Sequence, residues 1–306
     1  MLIASIDIGT NTVRCLICEV TDGILRPLDI HREIVRLGSG IRVEGGTREE
    51  PVERLLEVLA SFGKEIRESG CRRMWAVGTS AFREAGAKEN LSERAGNALT
   101  FPVEVISGDE EAEMTARGVQ AGVGPIPDGT IVDIGGGSTE IIRVSGGCPV
   151  WWTSLPEGVV YLTEEILKDD PPTSSQVDTL RERFRSFLPR GKEDGGKETV
   201  GTAGTPTTLA AIELGIDVYD PALVNGHVIS RETVARLRRG FLEVGAAARL
   251  RMPGMEKGRE DVIVAGILMA EEIMDRWGYE GLKVSDWGLL EGIALAAAEG
   301  KGYEVR

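Results

Sequence analysis

Short apolar runs separated by polar, glycine-bearing turns dominate the start of the chain. Leu2–Ile6 is apolar, Asp7-Ile8-Gly9-Thr10 is a polar turn, and Val13–Val20 is apolar again, which predicts strand, turn, strand. A third strand is predicted over 25–35. Residues 48–69 carry Val52, Leu55, Leu56, Leu59 and Phe62 at helical spacing, so one face of a helix is apolar. A strand at 73–77, a helix near 86–99, a strand at 102–107 and a helix at 109–121 complete the order βββαβαβα. Such an order suits a sheet covered by helices.

The second half repeats it. A strand at 130–132 runs into Asp133-Ile134-Gly135-Gly136-Gly137-Ser138, and apolar stretches follow at 141–144 and 150–155. Helices are predicted at 157–167, 174–188 and 206–213, with a strand at 198–201. The stretch 230–275 reads as helical, followed by a strand at 282–285 and a last helix at 288–299. Two landmarks fix the repeat. The Asp-Ile-Gly turn occurs at 7 and 133, and Val-Gly-Thr occurs at 77 and 200, at almost the same spacing. Two motifs recurring in the same order indicate an internal duplication. A hinge is expected at Gly122–Gly129, and exposed loops at 168–174 and 190–197.

Composition narrows the function. With 49 acidic and 35 basic residues the formal net charge is −14, which argues against nucleic acid as a partner. The first residues lack the basic segment of a signal peptide, and the longest apolar run, Val262–Ala270, is too short for a membrane span. A cytoplasmic protein is therefore expected. Cys15 and Cys18 have CxxC spacing but sit inside an apolar run with no second pair, so strand packing explains them better than zinc.

The candidate chemistry lies in the two turns. Each sets a carboxylate at a strand end, ahead of groups that can approach a phosphate. Thr10 and Asn11 offer side-chain donors in the first. Gly135, Gly136 and Gly137 offer amides and Ser138 a hydroxyl in the second. Asp7 and Asp133, facing each other across a crevice, could hold hydrated Mg²⁺ or another divalent cation. Tight hairpin geometry alone would also select Asp and Gly here. Arg83, after a strand and a Gly-Thr turn, could fork onto phosphate oxygens. Glu110, Glu111 and Glu113 open a predicted helix, where acids complement the helix dipole. His31 and His227 lie in no catalytic-looking context. The arginines at 231, 236, 238, 239, 249 and 251 are expected on a solvated helix face.

The motifs DIGTNTVR (7–14), GTSAFREA (78–85), VISGDEEAE (105–113), DIGGGSTE (133–140) and GTAGTPTTLAA (201–211) occur in that order. The set resembles the exopolyphosphatase/guanosine pentaphosphate phosphohydrolase (Ppx/GppA) family, in its short two-domain form. The resemblance implies an α/β fold of two ribonuclease H-like (actin-like ATPase) lobes with an interdomain cleft. The first lobe would span 1–122 with a returning helix at 287–306, and the second 123–286. It further implies Glu111 as the carboxylate that orients and deprotonates water, and Asp133 and Glu140 as organisers of Mg²⁺. Asn11, Arg83, Gly136 and Ser138 would line the phosphate cradle. The implied activity is Mg²⁺-dependent removal of terminal phosphate from inorganic polyphosphate, with guanosine pentaphosphate as the alternative substrate. A sugar-kinase-type phosphotransferase and a non-catalytic polyphosphate- or nucleotide-binding regulator are the other readings. Oligomeric state stays open, a homodimer among the options.

Three positions depart from the family pattern. An uncharged residue is expected where Glu157 stands, a basic one at Tyr161 and an arginine at Leu290. Each change removes positive charge or adds negative charge, which would weaken polyanion affinity if the positions face the cleft. Without the helical C-terminal region of longer members, reduced processivity on long chains is expected.

Overall fold

The computed structural model describes residues 1–189 and 195–305, and it divides into two compact units. One is Met1–Ala121 with the C-terminal stretch from Gly288; the other is Gly122–Trp287.

In the first unit, β1 (Leu2–Ile8), β2 (Thr12–Thr21) and β3 (Ile24–Ile34) form an antiparallel meander, followed by α1 (Ile41–Glu44) and α2 (Glu49–Glu68). β4 (Arg73–Gly78), α3 (Ser80–Glu89), α4 (Leu91–Leu99), β5 (Val103–Val105) and α5 (Gly108–Val123) follow. The strand order β3-β2-β1-β4-β5 has β1, β4 and β5 parallel. Asp22 and Gly23, at φ 51° and 77°, supply the left-handed pair that a two-residue hairpin turn between twisted strands demands.

In the second unit the same scheme recurs with β6 (Asp128–Ile134), β7 (Thr139–Ser145), β8 (Cys148–Leu155), α6 (Val159–Ile166), α7 (Ser174–Phe187), β9 (Glu198–Thr202) and α8 (Gly204–Leu214). α9 (Pro221–Val224), β10 (Val228–Ser230), α10 (Arg231–Glu243), α11 (Ala246–Arg249), α12 (Ile263–Trp277) and β11 (Gly281–Val284) complete it. The order β8-β7-β6-β9-β11 matches that of the first sheet strand for strand, with β10 added at the edge. The duplication read from the two repeated motifs is therefore a duplication of topology. The chain then returns to the first unit with α13 (Leu289–Ala298) and β12 (Tyr303–Glu304).

Side-chain alternation sorts the two faces of the first sheet. Ser5 and Asp7 share one face, where the Ser5 hydroxyl donates to the Leu290 carbonyl of α13 at 2.9 Å. Ile6, Cys15 and His31 share the other, where α2 packs. α5 and α13 touch backbone to backbone: a Cβ at Gly118 would lie 1.8 Å from the Gly288 carbonyl oxygen. Any larger residue there would push apart the helix that carries Glu111.

Three sequence expectations are corrected. The helix near 86–99 begins at Ser80 and is interrupted at Asn90, whose left-handed φ of 49° separates α3 from α4. The helical stretch 230–275 is broken between Arg249 and Ile263 by turns containing Gly254 and Gly258, both at positive φ. Leu290, which would weaken polyanion affinity only if it faced the cleft, is a buried core residue of α13. The loop foreseen at 190–197 lies largely outside the described residues. Among the described residues, no helix is long and apolar enough to cross a membrane.

Candidate active site

In the first unit the candidate residues gather at the carboxyl ends of parallel strands, where ligands bind in open α/β sheets. Register places Asp7 beside Val77 and Gly78 beside Val105, so the loops leaving β1, β4 and β5 emerge together. Asp7 ends β1. Its Oδ2 accepts from Arg14 Nε at 3.1 Å and Nη2 at 2.6 Å, because Arg14 is its partner across the β1–β2 ladder. Asp7 Oδ1, Thr10 Oγ1 and Asn11 Nδ2 are sealed from solvent and make no hydrogen bond within the protein. Orphaned buried polar atoms are costly unless a ligand completes them. Here they lie together in one turn, braced by Gly9 N–H to Thr12 O at 3.0 Å and Gly38 N–H to Thr10 O at 2.8 Å.

Glu111 sits in the first turn of α5, 6% exposed. Arg83 Nη1 donates to Glu111 Oε2 at 2.8 Å and to the Ile106 carbonyl at 3.0 Å. Arg83 is fixed in turn because α3 starts directly after β4. Its neighbour Glu110 does something different. Ser107 N–H donates to Glu110 Oε2 at 2.9 Å, and Glu110 N–H donates to the Ser107 hydroxyl at 3.2 Å, forming a capping box. Glu113 is exposed. Of the four acids Asp109, Glu110, Glu111 and Glu113, only Glu111 is buried, and it meets a guanidinium.

In the second unit Asp133 and Glu140 are direct partners across the β6–β7 ladder, so both carboxylates stand on one face. Both are buried, and Glu140 Oε1 accepts from Ser154 Oγ at 2.6 Å. The glycine turn corrects one expectation. Gly135 N–H is committed to the Ser138 carbonyl at 3.0 Å, so its amide closes the turn instead of facing a ligand. The carbonyls of Gly135 and Gly136 accept from Val159 and Val160, tying the turn to the start of α6. Gly136 and Gly137 face Gly158, where a Cβ would come within 2.4 Å of both. Ser138 is buried beside them.

The departures at 157 and 161 also resolve. Glu157 is 1% exposed and accepts from Arg183 Nε at 2.9 Å and Nη2 at 2.8 Å, so its charge is met locally by a guanidinium. Tyr161 is buried as well. The arginine run is not uniformly a solvated face: Arg249 is 2% exposed and bound to Asp170, while Arg231 and Arg238 pair with Asp275 and Glu271. His227 Nε2 lies 2.9 Å from Glu213 Oε2, a local structural pair.

Residues that sequence reading missed are the partners: Arg14 for Asp7, Ser154 for Glu140, Arg183 for Glu157. Arg14 was findable, since a hairpin turn at 9–11 sets it opposite Asp7. Ser154 faces Glu140 across the β7–β8 hairpin, but a bulge between Arg143 and Val144 shifts the register, and Arg183 carries no such local signal.

A profile of the Ppx/GppA phosphatase family matches residues 16–299. The chain is 33% identical to exopolyphosphatase 2 of Mycobacterium tuberculosis over 314 residues, covering 97% of this chain and 98% of that protein. The crystal structure of the Aquifex aeolicus Ppx/GppA family member superposes with a TM-score of 0.84 at 34% identity, covering 99% of each chain. That of an exopolyphosphatase from Cytophaga hutchinsonii superposes with a TM-score of 0.89 at 29% identity, covering 98% of each. The chain therefore belongs to the Ppx/GppA phosphatase family, and it is a phosphohydrolase of the actin-like two-lobe fold.

Proposed function

We propose that this phosphohydrolase removes the terminal phosphate of inorganic polyphosphate, using Mg²⁺ or a similar divalent cation. The observation that carries the proposal is the pairing of buried Glu111 with half-buried Arg83 at the carboxyl ends of β4 and β5. A buried carboxylate fixed by a guanidinium can orient water and accept its proton. Arg83 makes both bonds through Nη1, which leaves the rest of the guanidinium fork to receive phosphate oxygens. Phosphoryl transfer needs in-line positioning and charge neutralisation more than covalent chemistry, and these two side chains address both.

In the second unit Asp133 and Glu140 supply two oxygen-donor side chains on one face, a set that fits a hard divalent cation. In the first unit Asp7 keeps a buried oxygen without a hydrogen bond within the protein. When bound, the cation would neutralise charge on the phosphoryl oxygens. Thr10 and Asn11 in the first unit, and Ser138 with the amides of Gly136 and Gly137 in the second, are each suited to donate to phosphate oxygens. Polyphosphate is favoured over guanosine pentaphosphate because the Mycobacterium tuberculosis and Cytophaga hutchinsonii relatives are named exopolyphosphatases.

The test is phosphate release from long-chain polyphosphate with Mg²⁺, for the native chain and Glu111→Gln, with guanosine pentaphosphate and ATP alongside. Release that collapses in Glu111→Gln supports the proposal. Faster release from guanosine pentaphosphate would reassign the substrate, and release undiminished in Glu111→Gln would sink the assignment of Glu111.

A further inference from the structure

A second cluster of donor atoms lies on the opposite face of the first sheet from Asp7. Asp29 and His31, two apart on β3, point to the same side, and Glu65 approaches them from α2. His31 Nε2 lies 3.1 Å from Asp29 Oδ2 and 3.0 Å from Glu65 Oε1. All three ligand atoms fall within 4.8 Å of one another.

The angles make this more than an ion pair. His31 Nε2 is sealed from solvent, yet it makes no hydrogen bond of acceptable geometry with either oxygen. One N–H could satisfy at most one of them, whereas a cation on the imidazole lone pair serves both. Bonds of about 2.0–2.2 Å to nitrogen and oxygen place neighbouring ligands roughly 3 Å apart, which is the spacing already present. A pocket of about 450 Å³, lined by Val58, Ser61 and Phe62 beside His31 and Glu65, leaves room for water to complete the shell. Cys15 is paired with His31 in register across the β2–β3 ladder.

We infer that Asp29, His31 and Glu65 form a binding site for a divalent transition cation of the zinc class, clamping edge strand β3 to α2. An imidazole with two carboxylates selects such ions over Mg²⁺, which prefers oxygen ligands and retains its waters.

The test uses the full chain, stripped by a chelator and titrated with Zn²⁺ in saturating Mg²⁺, with Co²⁺ as the spectroscopic probe. The native chain should take up one Zn²⁺ whose affinity falls at least about tenfold in His31→Gln and in Asp29→Asn/Glu65→Gln, with loss of the visible Co²⁺ band. The same ion should be retained in Asp133→Asn/Glu140→Gln, which separates this site from the one proposed for catalysis. Saturating Zn²⁺ should raise the native Tm but not that of His31→Gln. No Zn²⁺ uptake by the native chain, unchanged affinity in His31→Gln and the double variant, or loss of the ion in Asp133→Asn/Glu140→Gln would each overturn the inference.

Discussion

The two Asp-Ile-Gly hairpins have the same backbone and different electrostatics. In each, the glycine N–H closes the turn onto the carbonyl three residues on, at 3.0 Å, and the aspartate ends the first strand. Across the ladder, however, Asp7 meets Arg14 and Asp133 meets Glu140. One carboxylate is half neutralised by a guanidinium; the other is doubled by a second acid. Duplication copied the turn, and one residue across the strand pair decides whether an arginine or a second acid faces the aspartate.

This comparison can be sharpened experimentally. The largest effect is expected away from both hairpins: Glu111→Gln should lower phosphate release about 10²–10⁴-fold while circular dichroism stays native. Retained activity would move the base elsewhere. Next, Asp133→Asn should raise the Mg²⁺ concentration for half-maximal activity at least about tenfold, and Asp7→Asn should raise it less. Equal shifts in metal titrations would break the asymmetry drawn here. Arg14→Gln tests its cause: releasing Asp7 Oδ2 should lower the Mg²⁺ requirement, and an unchanged requirement would reduce Arg14 to a hairpin brace.

Smaller effects probe the turns themselves. Gly158→Ala drives a Cβ to 2.4 Å from the Gly136 backbone, so about 1–3 kcal/mol of stability should be lost in denaturant melts. Gly9→Ala meets only the Thr12 carbonyl oxygen at 3.0 Å and should cost less. Smallest is a labelling contrast. Cys148 on β8 is exposed and should react with a thiol reagent in the native state. Cys18 on β2 should not, because burial pushes its pKa up to about 12 and hides the sulfur.

Much of this was legible beforehand because it is local. Apolar alternation located the strands, and the repeated Asp-Ile-Gly and Val-Gly-Thr turns disclosed the duplicated topology. Helix boundaries failed where a single residue adopts a left-handed φ, as at Asn90, since such residues look ordinary in a helical pattern. The split between Glu110 and Glu111 was only half visible. Spacing marks both as first-turn acids, but which one caps and which one is buried depends on where Ser107 and Arg83 arrive.

By itself, then, the sequence determined the α/β lobes, the two carboxylate-bearing turns and the family, because strand periodicity, turn chemistry and motif order are properties of neighbouring residues. The tertiary structure alone decided which charges are answered. Ser154 for Glu140, Arg183 for Glu157 and Arg83 for Glu111 come from separate elements. Charge neutralisation depends on distance in space, and separation along the chain does not report it.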